Sequence, residues 1–279
     1  MGHSPDALAG AGAHTRRMSE ISVNDVRLYY EEHGAGEPIV CIHGTGSSTL
    51  LWADAARALA TRGRVIVYDR RGFGRSERPE PLATNVREQA DDAAALIDAL
   101  GAAPAIVIGR SHGGEIAVDL ALRYPERVRA LALLEGGGLG LSGALRDWIA
   151  QLDERLFAAA EDDVATVGET LLRVVLGDAA CEDLPESVTQ VFSDNGPAIV
   201  AEERGGLLDV TAEELGSIDC PTLIVGATAS PPAFADATRL TAEAMPAARV
   251  EWVEGGHLID PGGAIVLAFV DEVLSHVNA

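Results

Sequence analysis

Ala105-Ile-Val-Ile-Gly109-Arg110-Ser111-His112-Gly113 is the stretch that decides the fold. Its first four residues form an apolar run closed by glycine, the pattern of a strand buried on both faces. From Gly113 to Arg123 the chain reads as a helix, stopped by Pro125. Gly-x-Ser-x-Gly alone is a weak signal, but between a strand and a helix it describes a nucleophile elbow. Such a turn holds Ser111 in a strained backbone conformation, with its hydroxyl exposed above the sheet edge. Side chains at 109 and 113 would strike the neighbouring strand and helix, so both positions are glycine. The helix N-terminus behind Ser111 turns backbone N–H groups and positive dipole toward a developing oxyanion.

The alternation extends in both directions. Upstream, Ile21–Val23 and Val26–Tyr30 flank Asn24-Asp25, a plausible hairpin turn. Pro38–Ile42 and Val65–Tyr68 are buried strands, the first ending in His43-Gly44-Thr45-Gly46 and the second at Asp69. Leu51–Ala60 has helical spacing, and so does 85–100, where Asn85 is a good N-cap before the stripe Val86, Ala90, Ala93, Ile97 and Leu100. Downstream, Val128–Leu134 is a strand. The pattern then breaks: from Gly140 to about Glu214 there are helical stretches, clearest over 145–160 and 164–176, and no convincing strand. It resumes with Pro221–Val225, Arg249–Val253 and a last helix over 264–277. Strand–helix alternation of this kind means a parallel sheet covered on both faces. The expected division is a core of 19–139 and 215–279, a helical cap of 140–214, and a flexible N-terminal extension of 1–18.

The 279 residues, 47% hydrophobic and 23% charged, are those of a globular chain able to bury a sizeable core. No apolar run approaches the roughly 18 residues of a membrane-spanning helix. All 21 basic residues are arginine and the formal net charge is −22. An acidic surface repels nucleic-acid phosphates and anionic membranes, so neither is expected as a partner. Cys41, Cys181 and Cys220 are odd in number and widely spaced, which excludes a disulfide framework or a cysteine-based zinc site and suits a cytoplasmic setting. Oligomeric state is not legible.

A serine hydroxyl needs a base. His257, in Glu254-Gly-Gly-His257-Leu between the last strand and the last helix, is the expected base. His43 reads instead as a loop residue bonded to backbone. A backbone N–H of the glycine-rich 43–46 loop, that of Thr45, would pair with that of His112 to form an oxyanion hole.

His43-Gly-Thr-Gly46, Asp69-Arg-Arg-Gly-Phe-Gly-Arg-Ser76, Gly109-Arg-Ser-His-Gly113 and Gly255-Gly-His257, in this order, resemble the α/β-hydrolase superfamily from about Ser22 to the C-terminus. The resemblance implies an α/β-hydrolase fold: an eight-stranded, mostly parallel sheet with the helical cap between strands six and seven. It makes Asp69–Ser76 a structural loop in which Arg70 and Arg71 are salt-bridged scaffold. One feature departs from the family. An acid usually follows strand seven, but Gly226-Ala-Thr-Ala-Ser-Pro-Pro232 holds no carboxylate, and Asp236 lies beyond the prolines. Strand six ends Leu133-Leu134-Glu135, where certain haloalkane dehalogenases and zearalenone-type lactonases carry their acid. Glu135 therefore looks like the third triad member and Asp236 is the fallback.

The expected function is cofactor-free and metal-free hydrolysis of a small lipophilic ester or lactone, with Ser111 as nucleophile, His257 as base and Glu135 orienting it. Carbon–carbon bond hydrolysis, thioester cleavage and perhydrolysis use the same residues, and a catalytically silent ligand-binding protein on this fold is the alternative of another kind. Trp148 and Leu152 are weak candidates for substrate contact.

Overall fold

A computed structural model describes residues 16–277. Eight strands run β1 Arg16–Val23, β2 Val26–His33, β3 Pro38–Ile42, β4 Arg64–Tyr68, β5 Ala105–Arg110, β6 Val128–Leu134, β7 Thr222–Ala227 and β8 Arg249–Val253. They form one sheet in the order β1-β2-β4-β3-β5-β6-β7-β8. The β1–β2 and β2–β4 pairs are antiparallel and the remainder parallel.

The β1–β2 hairpin turns on Asn24 and Asp25, both with positive φ (45° and 60°), as a two-residue loop requires. The first strand begins at Arg16, three residues before the expected start at Ser19. Arg16 pairs with His33 in the ladder and its guanidinium bonds Glu31 at 2.9 and 3.0 Å, so backbone and charge both extend the strand. The remainder of the expected extension, residues 1–15, lies outside the described residues.

Helices α1 Ala53–Leu59, α2 Val86–Ala99 and α3 His112–Arg123 follow β3, β4 and β5. The Asn85 side chain caps α2 by accepting from the Glu88 N–H at 3.0 Å, worth about 1 kcal/mol. Apolar side chains fill both faces of the sheet. Leu28, Val107, Ile116 and Leu131 share one core; Ile39, Trp52, Ile108 and Phe269 share the other.

Between β6 and β7 every regular element is helical: α4 Gly143–Asp162, α5 Val167–Leu176, α6 Asp178–Glu182, α7 Glu186–Asp194, α8 Gly196–Gly205 and α9 Ala212–Gly216, with short 3-10 turns. Leu152, Leu156, Leu171 and Phe192 form their own apolar cluster, which takes in Phe73 from the loop after β4. The stripe on 145–160 is therefore partly core of the insertion. A buried charge pair ties the insertion down. Arg70 bonds Glu202 of α8, and Gln89 of α2 donates to the same carboxylate at 3.0 Å. Two further helices follow: α10 Pro232–Ala244, between β7 and β8 where the sequence analysis places no helix, and α11 Ala264–Val277.

Candidate active site

Ser111 stands between β5 and α3 with φ 55° and ψ −127°. Among the described non-glycine residues only Asn24, Asp25, Ser111 and Glu135 have positive φ, and the first two belong to the hairpin. The crowding around the elbow explains its glycines. A Cβ at Gly109 would lie 2.4 Å from the Gly113 carbonyl oxygen, and one at Gly113 would lie 2.3 Å from that of Ile42. A Cβ at Gly44 would meet Ser111 Cβ at 3.1 Å, so the 43–46 loop passes directly beside the serine.

Glu135, the residue after β6, has φ 44°, and its N–H donates to the Val225 carbonyl at 2.9 Å. This bent strand end aims the side chain across the top of β7. Its Oε2 lies 2.8 Å from His257 Nδ1, and its Oε1 accepts from the Ala227 N–H at 2.9 Å. The Ser230 hydroxyl donates to Oε2 at 2.6 Å. Glu135 and His257 are both buried. A carboxylate with three donors is fully satisfied there, and it fixes the imidazole with the Nδ1 proton toward Glu135 and Nε2 free to act as a base. Asp236 is elsewhere: its Oδ2 accepts from Ser142 Oγ at 2.6 Å, and its Oδ1 lies 3.4 Å from Arg239.

Ser111, His257 and Thr45 line one pocket of about 590 Å³ including its mouth, together with Trp148 and Leu152 of α4. The insertion thus faces the Ser111 end of the sheet. Phe234 of α10 packs on the His257 ring at a centroid distance of 4.1 Å, and Trp148 stands edge-on to Phe234 at 5.2 Å. Several contributors are not legible in the sequence, four of them polar or aromatic groups close to the triad residues or the pocket. Ser230 occupies the place where the family usually puts the acid, and supplies a hydroxyl to Glu135 instead. Phe234 comes from the unforeseen helix. Arg110 and Glu203 line the pocket beside Ser111 and from α8, respectively. None has a motif of its own; only their packing brings them in.

Behind the elbow lies a buried polar layer. His43 Nε2 accepts from the Arg70 N–H at 3.1 Å, so its Nδ1 carries the proton and donates to the Gly44 carbonyl at 2.9 Å. Burial, reinforced by Arg70, holds the His43 pKa well below its ordinary value, which leaves the ring neutral. Burial likewise lowers that of His112. Burial alone would raise the Glu202 carboxyl, but Arg70 and His112 outweigh it and hold it well below the usual range. Arg71 makes a bidentate pair with Asp92, both bonds 2.8 Å.

Glu115 of α3 is fully buried, and its Oε2 has no hydrogen-bond partner. Burial pushes its carboxyl well above the ordinary value. The native chain therefore keeps a proton that the unfolded chain releases, and stability falls as pH rises from the ordinary glutamate range toward the raised native value. Each unit of pH inside that window costs about 1.4 kcal/mol. Glu115→Gln removes the dependence. Thermal melts should show a gap in favour of the variant that widens as pH rises above the ordinary glutamate range; parallel melting curves would contradict the assignment.

The sequence model of the alpha/beta hydrolase fold matches residues 37–259, and the chain belongs to that family. It is 32% identical over 236 residues to RutD of Azorhizobium caulinodans, provisionally named a carbamate hydrolase, an alignment covering 83% of this chain and 88% of that protein. A 2-hydroxymuconate semialdehyde hydrolase of Pseudomonas sp. (strain CF600) is 41% identical over 123 residues, 43% of this chain and 44% of its own. Among solved structures, Est816, described as an N-acyl homoserine lactone degrading enzyme, superposes with a TM-score of 0.71 at 25% identity, over 92% of this chain and 99% of its own. The family and the named relatives make the chain a hydrolase. No helix among the described residues is long and apolar enough to cross a membrane.

Proposed function

We propose that this hydrolase cleaves a carboxylic ester or lactone through an acyl-enzyme on Ser111. The observation that carries the reading is the 2.8 Å contact of Glu135 Oε2 with His257 Nδ1 beside a pocket that Ser111 lines. In this reading His257 Nε2 takes the Ser111 proton as Oγ attacks the carbonyl carbon. The Thr45 and His112 N–H groups hold the oxyanion. Collapse breaks the acyl–oxygen bond, and His257 returns the proton to the leaving alkoxide. A water, deprotonated by the same nitrogen, then releases the acid. Glu135 stays ionised and balances the imidazolium. Residues 140–214 act as the cap, whose apolar side chains exclude water and favour a lipophilic acyl or alcohol group. The likeness to Est816 supports the lactone side of this reading.

Hydrolysis of a carbon–carbon bond is the second reading, favoured by the similarity to the 2-hydroxymuconate semialdehyde hydrolase. A panel of aryl esters, small lactones, macrocyclic lactones and vinylogous diketones separates the two. Turnover of esters or lactones with Ser111-dependent release of acid supports the first. Turnover of the diketones alone would replace it with the second.

A further inference from the structure

Three arginines are buried among the described residues: Arg70, Arg71 and Arg110. The first two are paired with carboxylates, Arg70 with Glu202 and Arg71 with Asp92. Arg110 makes no ion pair among the described residues; the one carboxylate whose charge acts on it is the exposed Asp260. Its guanidinium makes one hydrogen bond, from Nη1 to the Ile259 carbonyl at 3.3 Å, and lies 5.5 Å from the centroid of the Trp52 ring. It is 7% exposed, and it lines the pocket with Ser111 and His257. A fork of five N–H donors is thus held at the reactive end of the pocket with most of them unused.

We propose that Arg110 is a specificity-determining residue that selects substrates carrying a carboxylate close to the scissile carbonyl. The planar guanidinium matches a carboxylate in two parallel bonds, and a buried cation with no carboxylate in bonding range gains most from a ligand that brings one. Burial lowers the Arg110 pKa only to about 10, so it is charged at neutral pH. Leu171, Leu172, Phe192 and Trp148 supply apolar wall, and Glu203 is the one carboxyl in the lining, its pKa pushed well above the ordinary value by burial and by its acidic neighbours. The substrate class is therefore an apolar ester or lactone with a single carboxylate at the reacting end. That this ligand is a substrate rests on the serine hydrolase reading. The site itself does not. The net charge of −22 repels anions at long range, so a preference for an acid over its amide must be local.

Binding of 4-phenylbutyrate and 4-phenylbutyramide to the full chain, measured by titration calorimetry at fixed salt, tests the proposal without turnover. The acid should bind the wild type at least about tenfold more tightly than the amide, a modest return for a charge-assisted bidentate pair. Arg110→Met should bring the two constants together, and Arg110→Lys should keep part of the preference. Should the Met variant not fold, the Lys variant and the wild type still decide it. Equal constants in the wild type, an acid that does not bind at millimolar concentration, or a preference that survives Arg110→Met would each overturn it. A merely structural Arg110, stapling the 257–259 loop through Ile259, would weaken both ligands alike. Failure of Ser111 to acylate would overturn the hydrolase reading instead, and leave these constants untouched.

Discussion

Ser111→Ala is expected to lower kcat on any productive ester or lactone by about four powers of ten or more, and His257→Ala by a similar factor. The double variant should be no slower than the worse single one, because in the proposed mechanism nucleophile and base act as a unit. The serine variant should remain folded. The Ser111 side chain makes no capping bond to α3, so removal of its hydroxyl costs no hydrogen bond of the native state. Its φ of 55° is imposed by the packing of Gly109, Gly113 and Gly44 around it, which alanine leaves in place. Thermal melts within a few degrees of wild type, beside a collapse of kcat, would separate loss of chemistry from loss of fold. Near-normal turnover by Ser111→Ala would remove Ser111 from the mechanism.

The second large effect is expected at Glu135. Glutamine there keeps the volume and loses the charge. It must also place an NH2 group against His257 Nδ1–H, the Ser230 hydroxyl or the Ala227 N–H, all of which now donate to the carboxylate. Either a donor faces a donor or the imidazole adopts the tautomer with its proton on Nε2, and that ring cannot accept from Ser111. A loss of about two to four powers of ten in kcat is expected. Asp236→Asn should stay within a few-fold of wild type, since Asp236 spends its carboxylate on Ser142 and Arg239. Steady-state kinetics on both variants check the pair. The reverse pattern would return the acid to the segment after β7.

What the sequence carried was local and periodic. The elbow, the asparagine cap of α2 and the Asn24-Asp25 hairpin are each encoded within a few neighbouring residues, and all stand where their chemistry places them. The change from strand–helix alternation to helices alone after Gly140 is a change of period, and it too is visible in one dimension. The misses have other causes. Pro231-Pro232 reads as a breaker, yet proline suits the first turn of a helix, where its missing N–H would go unbonded; α10 begins there, and Phe234 comes with it. Arg16 and Arg17 look like tail, but the ladder with β2 and the Glu31 carboxylate extend the strand to them. Ser230 lies in the 226–232 segment, which holds no carboxylate. Its hydroxyl finds Glu135 because β6 and β7 are neighbours in the sheet, a pairing across 95 residues. Arg110 occupies a variable position of the elbow motif, so its isolation among the buried arginines becomes visible only when every carboxylate has a place.

In the proposed mechanism Ser111 is the residue acylated, with His257 and Glu135 behind it. The direct measurement is treatment with a fluorophosphonate followed by mass spectrometry of the digested protein. One adduct is expected, on the peptide bearing Ser111, absent in Ser111→Ala and formed far more slowly in His257→Ala and Glu135→Gln. An unlabelled Ser111 in the folded wild type, or an adduct on another residue that persists in Ser111→Ala, would contradict it.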